Sequence, residues 1–316
     1  MTPVVSFENV SKVFLNQRGQ SVHAVEGISL EITKGEIFSL VGPDGAGKTT
    51  SIRMMCGVLT PTRGSVHILG MNMKTERDAI KHRIGYLSQR FSLYGDLTVD
   101  ENIDFFAEIH KLREYKARKE ELLQFTRLTP FRTRLAERLS GGMKQKLALV
   151  CTLIHTPDII FLDEPTTGVD PVSRRDFWKI LSAVLKSGVT IVMSTPYLDE
   201  AERSTRVALL HQGKLLVCDT PERVKSSFPY PVIEILCSDP RKGAMLLNES
   251  EQIERAELFG DRIHAILAGS VNSPQEIMKE LKKANIAVTS AKVVAPSLED
   301  VFIHRTTASS STMRES

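Results

Sequence analysis

Apolar and polar positions alternate along the first part of the chain. The segments "VVSFENVSKVF" and "VHAVEGISLEI" alternate over residues 4–41, which end in the apolar run "EIFSLV". Apolar strand patterns return at "DIIFLDEP", "TIVMST" and "RVALLHQGKLLVCD", and the helical stretch "RRDFWKILSAVLKSG" separates the first two. Alternation with a period of two indicates strands, and strands separated by helices indicate parallel βαβ units. The pattern predicts an α/β core that ends near Lys225.

A helical insertion interrupts this core. Between residues 98 and 138 apolar residues such as Ile103 and Phe106 recur every three or four positions. This spacing places them on one face of a helix. We therefore predict a helical subdomain over about residues 85–160 within an α/β domain that spans residues 4–225.

A second, smaller domain follows the turn-rich stretch "SSFPYP". Between residues 229 and 305 the patterns run strand, helix, strand, strand, helix and strand, from "VIEILCSD" to "IAVTSAKVV". This βαββαβ order is that of a ferredoxin-like α+β fold. The polar, low-complexity tail, residues 306–316, is expected to be disordered.

Composition limits the classes of protein to which the chain can belong. With 316 residues, of which 41% are hydrophobic and 25% charged, it resembles a globular protein with two or three packed units. Its apolar runs are far shorter than the roughly 20 residues of a membrane-spanning helix, and "MTPVVSFENV" does not resemble a secretory leader. We expect a protein that neither spans a membrane nor is secreted.

Net charge and the positions of the cysteines further limit the classes of protein to which the chain can belong. A net charge of +3 is too small to imply a nucleic-acid partner. Cys56, Cys151, Cys218 and Cys237 are scattered without the spacing of a zinc site or a disulfide framework. These features predict a cytosolic protein that does not bind nucleic acid.

A phosphate-binding loop follows the apolar strand "EIFSLV". The segment "GPDGAGKTT" has the spacing GxxxxGK[ST] and precedes the helical stretch "SIRMMCGVL". Glycines at positions 42, 45 and 47 let backbone N–H groups point inward at phosphate oxygens, and the helix N-terminus adds positive potential. Lys48 is expected to reach the β and γ phosphates, and the hydroxyl of Thr49 to ligate Mg²⁺. The predicted ATP-binding residues here are Gly42, Pro43, Asp44, Gly45, Ala46, Gly47, Lys48, Thr49 and Thr50.

The acidic end of a second strand supplies the other half of this site. In "IIFLDEP" the apolar strand ends at Asp163, which we expect to hold Mg²⁺. The next residue, Glu164, is placed to activate water as the catalytic base. The two motifs together predict a site for ATP and Mg²⁺.

The segment "LSGGMKQKLAL" resembles the signature of ATP-binding cassette (ABC) ATPases. The resemblance covers residues 4 to about 225 and includes Gln89 in "GYLSQ" and Asp170 in "TTGVDP". It implies that two cassettes dimerise head to tail, with each ATP between the P-loop of one and the signature of the other. The residues that it assigns to the partner's nucleotide are Ser140, Gly141, Gly142 and Asp170. The resemblance further implies that Gln89 contacts Mg²⁺ and the attacking water.

Two further assignments from the resemblance have structural alternatives. Phe14 matches the position that stacks on adenine, but a phenylalanine at the end of a strand is also an ordinary core residue. The segment "RFSLYGDLTVDEN" is expected to face a membrane partner, while Phe91, Leu93 and Tyr94 within it are equally compatible with ordinary packing.

Two residues depart from the family pattern, and both belong to the chain's own nucleotide site. Asp44 stands where the family usually has asparagine, and Pro196 stands where it usually has a histidine that touches the γ-phosphate. Proline has neither a side-chain donor nor a backbone N–H, so this contact is lost. It does suit the first turn of a helix, with Thr195 as a cap. We predict slow hydrolysis at this site and a faster site completed on a partner cassette, which favours a heterodimer.

The end of the small domain, "APSLEDVFIHRT", is similar to the C-terminal ending of ATPases from the drug and polysaccharide export branch, and the segment "TTGVDPVSRR" is similar to the same branch. This similarity implies an ATP-binding subunit that drives separate integral membrane subunits from the cytoplasmic face of the membrane. Two alternatives are a soluble ABC ATPase that does not transport and a regulatory cassette that binds ATP with little hydrolysis. The first of these usually has two cassettes in one chain or a long coiled-coil insertion, which this sequence lacks.

Overall fold

A computed structural model of the chain describes residues 3–89, 93–268 and 274–312, with side chains as far as residue 307. The chain divides into two compact units, Met1–Thr220 and Pro221–Ser316. The division falls a few residues before the boundary predicted at Lys225, because the short helix that contains Lys225 packs against the last helix of the second unit.

The first unit alternates strands and helices. Its elements are β1 (Val5–Leu15), β2 (Ser21–Ile32), β3 (Ile37–Val41), α1 (Lys48–Met55), β4 (Arg63–Ile68), β5 (Met71–Asn72), α2 (Arg77–Lys81), β6 (Ile84–Leu87), α3 (Val99–Ile109), α4 (Lys116–Thr126), α5 (Gly141–Leu153), β7 (Ile159–Asp163), α6 (Pro171–Lys186), β8 (Thr190–Thr195), α7 (Leu198–Ala201), β9 (Arg206–His211) and β10 (Lys214–Asp219). Short 3₁₀ turns at Thr129–Phe131 and Ala136–Arg138 lie between α4 and α5.

A central sheet organises this unit. Its strand order is β10-β9-β3-β8-β7-β6, with every pair parallel except β10 and β9. All residues of β3 and β7 are buried, as expected for parallel strands covered on both faces. Since parallel strands end at the same edge, the residues that follow β3, β6, β7 and β8 meet there. These are the P-loop, Gln89, Glu164 and Pro196, and Asp163 lies beside them as the last residue of β7.

Two further parts complete the unit. An antiparallel sheet in the order β2-β1-β4-β5 shares a hydrophobic core with α1 and one face of the central sheet. Helices α3, α4 and α5 share a second core with α6 and the other face. Helices α3, α4 and α5 lie within the range of 85–160 predicted for the helical subdomain, but β6 at its start belongs to the central sheet. A capping box between Thr98 and Glu101 fixes the start of α3.

The second unit has the predicted ferredoxin-like topology. Its elements are α8 (Pro221–Ser226), β11 (Val232–Cys237), α9 (Pro240–Asn248), β12 (Ile253–Phe259), β13 (Arg262–Leu267), α10 (Pro274–Lys283), β14 (Val288–Val294) and α11 (Leu298–Thr312). The four strands form an antiparallel sheet in the order β12-β13-β11-β14. Helices α9 and α10 bury their apolar residues against one face of it.

The prediction of a disordered tail was wrong for residues 306–312, since α11 continues to Thr312. The hydroxyl groups of Thr306 and Thr307 donate to the carbonyl oxygen of Ile303 at 2.9 and 2.8 Å, a bond that threonine can make inside a helix. Residues 313–316 lie outside the described residues. No helix among the described residues is long and apolar enough to cross a membrane.

Candidate active site

The P-loop curls around the side chain of Lys48, the first residue of α1. The Lys48 ammonium group donates to the carbonyl oxygens of Gly42 at 2.8 Å and Pro43 at 3.0 Å. Although it is charged, this side chain is buried. The loop therefore holds a cation ready at the start of a helix, where backbone N–H groups also favour an anion.

Two glycines are required by the path of the loop. A Cβ atom at Gly42 would lie 2.2 Å from the carbonyl oxygen of Leu210, and one at Gly47 would lie 2.5 Å from that of Ala24. Gly47 also has a φ of 100°, which disfavours any other residue. The spacing of these glycines is thus explained by close packing of the loop on its surroundings.

Asp163, at the end of β7, is fully buried beside the P-loop. Its Oδ1 accepts hydrogen bonds from the hydroxyls of Thr49 at 2.9 Å and Ser194 at 2.8 Å. Its Oδ2 is buried without a hydrogen-bond partner among the described residues. A buried carboxylate oxygen with no partner is costly, and a cation at this point would satisfy it.

Glu164 connects the P-loop to the end of β6. Its Oε1 lies 3.2 Å from the ammonium group of Lys48, and its Oε2 accepts from Gln89 at 3.1 Å and Thr167 at 3.3 Å. Its backbone N–H donates to the hydroxyl of Ser194 at 2.9 Å. Glu164 has a φ of 48°, an unusual value for a residue other than glycine and one that is often found at functional sites. Lys48, Thr49, Gln89, Asp163 and Glu164 thus form one cluster.

The residues predicted to serve a partner's nucleotide begin two helices. Ser140 caps α5 by accepting a hydrogen bond from the N–H of Met143, and Asp170 caps α6 by accepting from the N–H groups of Val172 and Ser173. Hydrogen bonding to Ser173 and Val172 lowers the pKa of Asp170. Ser140, Gly141 and Asp170 are exposed, while Gly142 is buried.

Pro196 follows β8 directly, but it lies outside the first turn of α7, contrary to the prediction. The helix begins at Leu198 with Tyr197 as its N-cap. The hydroxyl of Thr195 accepts from the N–H of Tyr197 at 3.0 Å, so it closes the turn around Pro196 instead of capping the helix from the predicted position. The proline is half-buried and offers no donor group.

Three of the remaining predicted residues, Phe14, Asp44 and Tyr94, lie at the surface. The Phe14 ring is 39% exposed, so it is not an ordinary core phenylalanine, and the Lys12 ammonium group lies 5.1 Å from its centroid. Asp44 is exposed within the P-loop. Leu93 packs partly buried against the helical core, whereas Tyr94 is 46% exposed and contacts Phe105.

Phe91 lies outside the described residues.

Sequence reasoning missed Ser194, which orients both acidic residues. Ser194 pairs directly with Asp163 in the parallel register of β8 and β7. The signal in the sequence is a polar residue directly after the apolar run "TIVM". Without knowledge of which strands are neighbours, that signal does not identify its partner.

A P-loop, an acidic strand end beside it and a buried lysine define the chain as a P-loop nucleotide-binding protein. Residues 25–167 match the family model described as ABC transporter, and residues 220–306 match that of the C-terminal domain of DrrA1-3-like ATP-binding proteins. The daunorubicin/doxorubicin resistance ATP-binding protein DrrA of Streptomyces peucetius is 33% identical over 89% of this chain and 87% of its own length. The chain therefore belongs to the ATP-binding proteins of the ABC transporter family, which confirms the resemblance.

Other relatives and structures agree with this family. The Nod factor export ATP-binding protein I of Burkholderia thailandensis is 33% identical over 96% of both chains. The probable multidrug ABC transporter ATP-binding protein YbhF of Escherichia coli is 42% identical over 64% of this chain, which matches only 36% of that relative's length. A dimeric structure of the cassette MJ0796 with ADP and Pi has a TM-score of 0.63 at 28% identity, covering 68% of this chain and 98% of the other. The predicted cassette fold is confirmed.

Proposed function

We propose that this chain is the ATP-binding subunit of an exporter, in which ATP binding and hydrolysis by a cassette dimer drive transport through separate integral membrane subunits. The observation that supports hydrolysis is the cluster of Lys48, Asp163 and Glu164 at the carboxyl edge of the central sheet. The names of the relatives, which refer to multidrug, daunorubicin and Nod factor export, support export as the process. On this proposal the subunit is held at the cytoplasmic face of the membrane by its partners.

Mg²⁺ is proposed as the metal of the site. Asp163 and the hydroxyl of Thr49 would hold it, with Gln89 nearby, and the unpartnered Oδ2 of Asp163 fits this role. When bound, the metal neutralises charge on the phosphates. Glu164 is proposed to accept the proton of the attacking water. Its carboxylate lies beside the ammonium group of Lys48, which is expected to bind phosphate, and Gln89 and Thr167 orient it.

We further propose that the two composite sites of the dimer are unequal. Pro196 stands where the family has a histidine, and it has no donor with which to contact the chain's own nucleotide. The residues offered to the partner's nucleotide, by contrast, lie at the N-termini of α5 and α6; they are Ser140, Gly141, Gly142 and Asp170. Loss of one preorganised donor to developing charge commonly lowers turnover by about 10²–10³-fold. The own site is therefore the slower one, and the fast site contains the partner's P-loop. This favours a heterodimer with a second cassette that carries the histidine.

The test compares two variants in the assembled complex at saturating ATP. Glu164→Gln removes the base of the slow site, and total ATPase activity should fall only modestly. Ser140→Arg blocks the fast site, and activity should fall by about 10²-fold or more. Equal damage from both variants would overturn the unequal sites while leaving the assignment as an ATPase intact.

A regulatory cassette with little hydrolysis is the second candidate, and Pro196 is the observation that favours it. The ordered position of Glu164 argues against it, since four polar groups hold the residue. Single-turnover measurement of ATP cleavage by the purified subunit, alone and with its partners, separates the two. Absence of cleavage in both settings would favour the regulatory cassette.

A further inference from the structure

A buried carboxylate outside the nucleotide site joins three segments that surround it. Glu200, in α7, is 1% exposed. Its Oε2 accepts hydrogen bonds from the hydroxyls of Thr166 at 2.7 Å and Thr195 at 3.1 Å, and its Oε1 lies 3.2 Å from Nε of Arg174. Burial raises the pKa of Glu200, although the two hydroxyls and the Arg174 charge oppose this rise. The carboxylate is therefore enclosed, with Oε2 held by two hydrogen bonds and Oε1 held by an ion pair that is not a hydrogen bond among the described residues.

The three partners of Glu200 belong to different parts of the cassette. Thr166 follows the catalytic Glu164 by two residues, and Thr195 ends β8 immediately before Pro196. Arg174 lies one turn into α6, the helix that Asp170 caps. Glu200 therefore connects the chain's own site to the helix whose N-terminus is offered to the partner's nucleotide.

Arg174 also contacts the segment around Pro196 through the ring of Tyr197. Its guanidinium group lies 4.5 Å from the centroid of the Tyr197 ring, a cation–π distance. The N–H of Tyr197 donates to Thr195, whose hydroxyl in turn donates to Glu200. The turn at Pro196 is thus held by the residues that flank it, Thr195 and Tyr197, because the proline itself has no donor group.

The same helix supports the signature segment. Ser173, next to Arg174, packs so closely on Gly142 that a Cβ atom there would lie 2.5 Å from its Oγ. A shift of the start of α6 would therefore move Asp170 and disturb Gly142 together. Close packing of this kind transmits small displacements because packed interiors deform little.

We propose that Glu200 and Arg174 are positioning residues for the nucleotide bound by the opposite cassette. They fix the N-terminus of α6, and with it Asp170 and Gly142, against the end of β8. The inference rests on the proposed role of Asp170 and Gly142 in a partner's site. Pro196 offers no donor to phosphate, and we assign this supporting role to the segment from Thr195 to Glu200.

The test measures steady-state ATPase activity of the assembled complex with Arg174→Met, Glu200→Gln and the double variant. Each single variant should lower kcat by about 10-fold with KM changed little, because misplacement of a group far from the chemistry affects turnover. The double variant should be no worse than either single one, since both changes break the same connection. Nucleotide affinity of the isolated subunit should not change.

The chain offers a closely matched control pair. Arg206 lies 3.1 Å from Glu36, and the exposures of these side chains, 27% and 4%, resemble the 25% and 2% of Arg174 and Glu200. Arg206 also donates hydrogen bonds to Glu36 and to the carbonyl oxygen of Glu31, so Arg206→Met should lower the thermal stability of the subunit at least as much as Arg174→Met does, but should leave kcat unchanged. Equal loss of kcat in these two variants, or a change in the isolated subunit's ATP affinity with Arg174→Met, would overturn the positioning role.

Ser140→Arg, measured in the same assay, separates this inference from the proposed function. Full turnover with Ser140→Arg would contradict the role of the signature in a partner's site, and both ideas would fail. Severe loss with Ser140→Arg, combined with equal effects of Arg174→Met and Arg206→Met, would overturn the positioning role alone.

Discussion

The ammonium group of Lys48 lies 3.2 Å from the carboxylate of Glu164, so the phosphate-binding cation and the proposed base form an ion pair. Both side chains are buried, which makes the interaction stronger than it would be at the surface. Phosphate oxygens that approach Lys48 must compete with this carboxylate. The pair therefore holds the lysine side chain next to the proposed base.

Replacing Lys48 with alanine should weaken ATP binding by about 10–10²-fold, because one charged hydrogen-bond donor contributes about 1.5–3 kcal/mol. Calorimetric or fluorescence titration of the purified subunit measures this. Lys119→Ala is a suitable control, since Lys119 is also buried and ion-paired, with Asp104 at 2.8 Å, but lies in the helical part. Unchanged affinity with Lys48→Ala would contradict the assignment of the P-loop.

Asp163→Asn should remove the response to Mg²⁺ while leaving the local hydrogen bonds in place. The asparagine carbonyl can still accept from Thr49 and Ser194, and its amide replaces the Oδ2 atom that has no partner. ATP affinity measured in EDTA should therefore stay within a few-fold of wild type. The gain in affinity on adding Mg²⁺ should disappear, and turnover should fall by about 10²-fold or more, given the several kcal/mol that a metal supplies.

The opposite pattern, with a loss of affinity in EDTA and a preserved response to Mg²⁺, would contradict the metal site. Ser194→Ala serves as the comparison, because it loosens Asp163 without removing its charge. It should weaken the response to Mg²⁺ only partly.

Contiguous motifs let the sequence predict a nucleotide site, because Lys48, Thr49, Asp163 and Glu164 each lie in a short segment whose chemistry depends on local spacing. Contacts such as Ser194 with Asp163, or Arg174 with Glu200, depend on which strands and helices become neighbours. A single sequence does not fix those neighbours. The same reason explains the error at the C-terminus, where polar composition suggested disorder.

The second unit should lose part of the attachment of α11 as pH rises. Nδ1 of His264 lies 3.0 Å from Oδ1 of Asp300, a buried residue that also bonds Ser297 at the start of α11. Burial lowers the pKa of His264, but Asp300 and the nearby carboxylate of Glu234 raise it more, so the net shift is upward. A raised pKa means that the ion pair contributes fully below the unfolded value of about 6.5 and that this contribution is lost as pH rises through the folded value.

Thermal unfolding of wild type and His264→Gln between pH 5.5 and 8 measures this contribution. The difference in stability between the two proteins should be largest near pH 5.5 and should shrink towards pH 8. A difference that stays constant or grows with pH would contradict the ion pair. The pKa of Asp300 is lowered despite its burial, with His264 and Ser297 as the opposing causes, so this carboxylate remains charged across the range tested.

Removing the second unit should leave nucleotide binding intact. Every residue assigned to the nucleotide site lies in Met1–Thr220, and the second unit has its own hydrophobic core. A chain that ends at Thr220 should therefore bind ATP with wild-type affinity, and any loss should appear in assembly with partners or in its regulation. A truncated product that is soluble and folded by circular dichroism but fails to bind ATP would contradict this division of roles.

Gly142 should be far less tolerant of substitution than its neighbour Gly141, although both belong to the signature. A Cβ atom at Gly142 would lie 2.5 Å from Oγ and 2.6 Å from Cβ of Ser173, whereas one at Gly141 would meet nothing within 4 Å. Gly142→Ala should therefore destabilise the subunit by about 1–3 kcal/mol through overpacking, and Gly141→Ala should not. Denaturant unfolding measures both.

A second substitution in Ser173 distinguishes this clash from a general need for glycine at the start of α5. Ser173→Gly removes both clashing atoms and leaves only the Cα atom, at 3.9 Å from the added methyl group, so it should restore most of the stability lost in Gly142→Ala. Ser173→Ala keeps its Cβ atom and should restore much less. Because glycine within a helix itself costs about 0.5–1 kcal/mol, recovery is measured against the Ser173→Gly single variant. Equal recovery with alanine and glycine would contradict the predicted contact between the signature and α6.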